Sequence, residues 1–166
     1  MGELAVSADP GDELVTIGLG SCIGVAVVDR GSAVAGMAHV MLPEAGADGE
    51  GPAGKYADRA VPALVAETER LGARRSRLEA VIVGGAQMFG RAISGLDVGA
   101  RNAAAVKAAL RRARIPLRAA EIGGAKGRTM RVYVEPARVT VKEAGGVETP
   151  LWEGGRERRR APVEVT

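Results

Sequence analysis

Three short apolar runs follow one another within the first 42 residues, with only short turns between them. Leu14–Leu19 and Val25–Val28 are compact and β-branched, and Ala33–Leu42 stops at Pro43, a residue that cannot donate to a sheet ladder. Runs of this length, divided by turn signals such as Asp29-Arg30-Gly31, specify strands that pair antiparallel with one another. A chain that begins this way must build a sheet and then cover it. The covering material is restricted: 46% of the 166 residues are hydrophobic but only 2% are aromatic, so the core is made of Ala, Val, Leu and Ile. A chain of this length is expected to form one domain with a full core.

The remainder supplies helices and more strands. Residues 1–11 read as a loose lead-in, and Glu44–Gly54 as a surface loop. Ala57, Ala60, Val61, Leu64, Val65, Thr68 and Leu71 recur at helical spacing, and Gly72 is placed to cap that helix. Pro62 is awkward inside the span, so the regular helix is expected to begin near it. Leu78–Val83 predicts a strand leading into Gly84-Gly85-Ala86-Gln87-Met88-Phe89-Gly90. Residues 93–99 then read as a loop and Asn102–Arg114 as a second helix. Pro116–Ile122, Met130–Glu135 and Arg138–Lys142 read as strands, the last two joined in a hairpin. One domain over 1–143 is expected, with 144–166 a Gly- and Arg-rich, poorly ordered tail.

Several function classes are disfavoured. The net charge of +3 is modest, and much of the excess sits in Arg156, Arg158, Arg159 and Arg160, so a nucleic-acid partner is not expected. A single cysteine forms no internal disulfide, the first residues lack the order of a signal peptide, and no apolar run reaches the roughly 18 residues of a membrane span. A cytoplasmic protein without membrane insertion is expected. Gly18-Leu19-Gly20-Ser21-Cys22-Ile23-Gly24 looks like a dinucleotide fingerprint, but its spacing is one residue too long and a strand follows where a helix is needed. Gly123–Thr129 lacks the order of a phosphate loop. No cofactor is expected, and no cluster of metal ligands is present in the sequence.

The chemistry gathers instead on Cys22, the only cysteine, and His39, the only histidine, 17 residues further on. A thiol becomes a nucleophile when a base takes its proton, and imidazole is the usual base. Cys22 is ringed by Ser and Gly rather than by bulky residues, and a His39 buried in its apolar strand needs a hydrogen-bond partner. Thr16 supplies an acceptor for one ring nitrogen, leaving the other for the thiol, as the third member of a triad does. On residue chemistry alone two readings stand: a cysteine-type hydrolase, or a buried core cysteine beside a satisfied core histidine.

Thr16-x-Gly18-Leu19-Gly20-Ser21-Cys22 followed by Gly36-Met37-Ala38-His39-Val40-Met41-Leu42-Pro43 closely resembles the CheD family of chemoreceptor glutamine deamidases. Gly54-Lys55-Tyr56-Ala57, Gly84–Phe89 and Gly99-Ala100-Arg101-Asn102 extend the resemblance in order from about Val15 to Lys142. It implies a catalytic triad at Cys22, His39 and Thr16. Once those roles are granted, the chemistry needs backbone N–H donors for the oxyanion, expected from Cys22 and from the glycine loop Gly84, Gly85 and Ala86, with Ser21 as a further candidate lining the substrate. The resemblance implies hydrolysis of glutamine side chains in methyl-accepting chemotaxis receptors to glutamate and ammonia, without a cofactor; some members also cleave glutamyl methyl esters. The implied regulatory partner is a CheC-type phosphatase. The implied fold is α/β: a β-sandwich core of mixed and antiparallel sheets flanked by helices, similar to the catalytic domain of cytotoxic necrotising toxins. Two further readings stay open: a non-catalytic module docking on the phosphatase or receptors, and a deamidase of another protein.

Overall fold

Residues 23–29 and 34–40 are buried along their whole length, which strands allow only when both faces of their sheet are covered. The computed structural model describes residues 1–47, 49–88 and 97–154. Outside the described residues lie Asp48 of the expected surface loop, the Phe89-Gly90 end of the glycine motif, residues 93–96 of the second loop, and the tail from 155 onward with its arginines. The described elements run β1 (Leu4–Ser7), β2 (Glu13–Leu19), β3 (Ile23–Asp29), β4 (Val34–Val40), α1 (Ala57–Arg70), β5 (Glu79–Gly84), α2 (Val98–Arg112), β6 (Leu117–Ile122), β7 (Arg128–Tyr133), β8 (Arg138–Glu143) and β9 (Glu148–Glu153).

They form two sheets, one ordered β1-β4-β3-β5-β6 and the other β2-β7-β8-β9. All pairings are antiparallel except β5 with β6, which are parallel and joined through α2. The period of two along each central strand divides the core into two layers. Ile23, Val25 and Val27 pack with Leu64, Val106 and Leu110 of the helices. Ala26 and Val28 pack with Met130, Val132 and Val139 of the second sheet. The molecule is therefore an α/β sandwich of one mixed and one antiparallel sheet with helices packed on it, as expected; both described α-helices pack on the five-stranded sheet. No helix among the described residues is long and apolar enough to cross a membrane.

Five local expectations change. The first three apolar runs do not all pair with one another: β3 pairs with β4, but β2 joins the other sheet through β7, with Thr16 opposite Met130. The register of β2 breaks between Thr16 and Leu19, around Gly18 at φ +73°, and the chain then crosses from one sheet to the other. Helix α1 starts at Ala57 rather than near Pro62, with the Ala60 N–H already bonded to Tyr56 O at 2.7 Å. Pro62 lies inside the helix on its exposed face, where its missing N–H leaves one turn of the ladder unmade. Helix α2 starts at Val98, four residues early, because Asp97 caps it by accepting from the Ala100 N–H at 2.9 Å. The lead-in contains β1, which pairs with β4 while Leu4 and Val6 pack on the helix-side core. The expected tail contains β9, which pairs with β8 and sets Leu151 and Trp152 against the inter-sheet core.

The far end of β3 is held by charge. Asp29 is fully buried and accepts from Arg77 Nε at 2.9 Å and Nη2 at 2.8 Å, and from the backbone N–H groups of Arg74 at 2.8 Å and Gly31 at 2.9 Å. Burial alone raises a carboxyl pKa, but the Arg77 guanidinium and the backbone donors outweigh it and hold Asp29 well below the usual carboxylate range. Its stabilisation is present above the ordinary Asp value near 3.9 and is lost as pH falls toward the lower folded value. Asp29→Asn, which removes the charge from these hydrogen bonds, is expected to cost about 1.5–3 kcal/mol near pH 7. Urea denaturation checks this, and the gap to the wild type should narrow as pH falls below about 4.

Candidate active site

Two chain segments bring Thr16 and His39 together on the inter-sheet side, and a third places Cys22 against the same inter-sheet core. In β4, His39 alternates with Ala35 and Met37, which face the second sheet. Cys22 shares the alternation of Gly24 and Ala26 and packs against that same core. His39 stands directly opposite Gly24 in the β3–β4 register. Thr16 reaches in from β2, and its Oγ1 lies 2.8 Å from His39 Nδ1. Both side chains are buried, at 8% and 7% exposure. Gly24 makes the approach possible, since a Cβ there would stand 2.9 Å from Leu19 Cδ1 and 3.2 Å from Thr16 Cγ2.

The other ring nitrogen, His39 Nε2, is buried and makes no hydrogen bond among the described residues. Buried polar atoms are rarely left unpaired, and those that are often belong to functional groups. Burial pushes the His39 imidazole below its ordinary pKa, the N-terminal ammonium acts in the same direction, and Glu3 opposes them. Burial also pushes the half-buried Cys22 thiol up, against a lowering by the N-terminal ammonium. Both shifts favour a neutral Cys22 thiol and a neutral His39 imidazole over a standing ion pair.

The glycine loop after β5 holds the cysteine from behind. Gly85 N–H donates to Cys22 O at 2.8 Å, and Ala86 N–H donates to Gly20 O at 2.7 Å. These two N–H groups, expected to face an oxyanion, are thus engaged in bracing the loop. Gly84 adopts φ +119°, and a Cβ there would stand 2.2 Å from Cys22 O, so only glycine fits. Ser21 takes part through its carbonyl, which accepts from Asn102 Nδ2 at 3.0 Å. The Cys22 N–H makes no hydrogen bond among the described residues. Among those residues no group of three or more His, Cys, Asp or Glu side chains could hold a metal ion.

Asn102 was legible in the sequence only as the start of a helix and part of a glycine-containing block. Its importance depends on α2 docking beside the cysteine loop, which local pattern does not encode.

A two-sheet sandwich carrying a thiol and a hydroxyl-bound imidazole on its inner faces defines a candidate thiol-dependent hydrolase. The chain belongs to the CheD family: a family model described as CheD chemotactic sensory transduction matches residues 41–143. A Symbiobacterium thermophilum protein named "Probable chemoreceptor glutamine deamidase CheD" is 46% identical over 155 residues, covering 91% of this chain and 94% of its own. The Thermotoga maritima protein named "Chemoreceptor glutamine deamidase CheD" is 45% identical over 148 residues, covering 89% and 92%. A Clostridium botulinum (strain Hall) protein with the same name as the first is 43% identical over 147 residues, covering 86% and 90%.

The raised thiol gives a direct expectation. Alkylation of Cys22 by iodoacetamide should climb with pH to beyond the ordinary thiol value near 8.5. A rate already level near pH 7 would contradict the neutral pair.

Proposed function

We propose that this chain hydrolyses the side-chain amides of selected glutamines in chemotaxis receptors, with Cys22 as nucleophile, His39 as base and acid, and Thr16 as the residue that orients the imidazole. The observation that carries the reading is the 2.8 Å contact of Thr16 with His39 Nδ1, which leaves a buried Nε2 without a hydrogen-bond partner among the described residues, on the inter-sheet side where Cys22 also packs. The names of relatives about 45% identical over roughly 90% of the chain supply the substrate class.

With the proton on Nδ1 donated to Thr16 Oγ1, Nε2 presents its lone pair. Nε2 takes the thiol proton as Sγ attacks the glutamine amide carbon. The carbonyl oxygen becomes an oxyanion, stabilised by the unengaged Cys22 N–H. His39 then gives its proton to the departing nitrogen, the C–N bond breaks, and ammonia leaves a thioester behind. Water attacks the thioester and gives a proton to Nε2. Cleavage of the C–S bond releases glutamate, and the proton returns to sulfur. The sum is glutamine plus water giving glutamate plus ammonium, the ammonia taking the proton that the new carboxyl group loses. Starting from a neutral pair, His39 acts as a general base during attack. A CheC-type phosphatase as regulator and a cytoplasmic location belong to the same reading.

Cys22→Ala and His39→Ala are each expected to abolish ammonia release from receptor fragments while circular dichroism shows an intact fold. Thr16→Ala should lower kcat by roughly 10- to 100-fold, a loss smaller than either, since it orients the base without bonding to substrate. Each converted site gains about 1 Da, read by peptide mass spectrometry. Wild-type turnover by Cys22→Ala would refute the mechanism. No mass shift in receptors alongside shifts in another protein would move the substrate elsewhere.

A further inference from the structure

Asn102 sits in the first turns of α2, is fully buried, and spans two separate segments of the site. Its Nδ2 donates to Ser21 O at 3.0 Å and to Met41 O at 2.9 Å. Ser21 precedes the nucleophile, and Met41 lies two residues past His39. Both partners are carbonyl oxygens, so only the NH2 end of the amide can face them, and the orientation of the side chain is settled by chemistry. Its Oδ1 makes no hydrogen bond among the described residues. A core amide retained at this burial, with only one end in use, calls for a reason beyond filling space.

We propose that Asn102 is a positioning residue that aims the Cys22 N–H at the oxyanion by pinning the Ser21–Cys22 peptide. In a trans peptide the C=O and N–H point in opposite directions across one rigid plane. Holding Ser21 O toward α2 therefore turns the Cys22 N–H away from it, toward the side where no described group engages it. Gly85 N–H and Gly84 fix the next peptide by closing on Cys22 O, so the peptides on both sides of the nucleophile are held. The second bond of Asn102, to Met41 O, ties the same side chain to the strand that carries His39. The helix is seated for this role: Gly99, one turn earlier, packs so closely on Gly85 that a Cβ would stand 2.3 Å from its carbonyl oxygen.

This inference rests on the proposed Cys22 chemistry, and its test separates the two. Two reactions of the same thiol are compared in Asn102→Ala, in the isosteric Asn102→Asp, and in the milder Asn102→Ser. Deamidation of a receptor fragment builds an oxyanion; alkylation of Cys22 by iodoacetamide at fixed pH builds none. Loss of an oxyanion donor's alignment is expected to lower kcat by about 10²-fold, with KM and the alkylation rate each within about threefold of wild type. Deamidation within threefold of wild type in a folded variant would overturn the proposal. So would a parallel fall of alkylation and deamidation, or unfolding of all three variants, since either outcome assigns Asn102 to the fold alone. A fully active Cys22→Ala control would instead remove the underlying chemistry, whatever the Asn102 variants do.

Discussion

The hydrogen bond between Thr16 and His39 joins the two sheets at the site, and the rest of the architecture is arranged so that it can form. Thr16 belongs to the four-stranded sheet and His39 to the five-stranded one. Their 2.8 Å contact therefore reports the separation of the sheets as well as the orientation of a ring. Small side chains make that separation possible. Gly24 opposite His39 leaves room that any larger residue would fill, and Ala26 and Ala35 continue the thin inner face. A core nearly free of aromatics fits this need, because bulky rings on the inner faces would hold the sheets apart.

Around that bond the site is built more from backbone than from side chains. Peptide groups of Gly84–Ala86 grip Gly20 and Cys22, and one buried amide grips Ser21 and Met41. Backbone placed in this way has little freedom to relax, which suits a reaction whose barrier depends on donors fixed before charge appears. The far end of β3 is stabilised differently, by the Asp29–Arg77 pair. One strand thus has an electrostatic clamp at one end and Cys22 immediately before the other.

Much of this was legible in the sequence, for identifiable reasons. Cys22 and His39 stood out because each is unique in the chain, and Thr16 because a buried imidazole requires a polar neighbour. The strands β3, β4, β5 and β8 announced themselves as continuous or alternating apolar runs. Features set by distant partners did not. The departure of β2 to the second sheet depends on β7, far along the chain. The strand β1 is too short to show a period and is defined by its pairing with β4. The strand β9 lay in a segment whose glycines and charges masked Leu151 and Trp152. The N–H groups of Gly85 and Ala86 looked free for an oxyanion because a sequence does not reveal which carbonyls they meet.

The pairing of β2 has a consequence for when the Thr16–His39 contact can form. Thr16 lies opposite Met130, so the sheet that holds it is assembled from the beginning of the chain and from its final third. During synthesis the thiol and the imidazole emerge early, but the strand that seats Thr16 emerges late. Until β7 arrives, the imidazole has no cross-sheet partner and the histidine strand no second layer over it. On the proposed chemistry, the nascent chain carries Cys22 and His39 unassembled, and competence arrives with the last sheet.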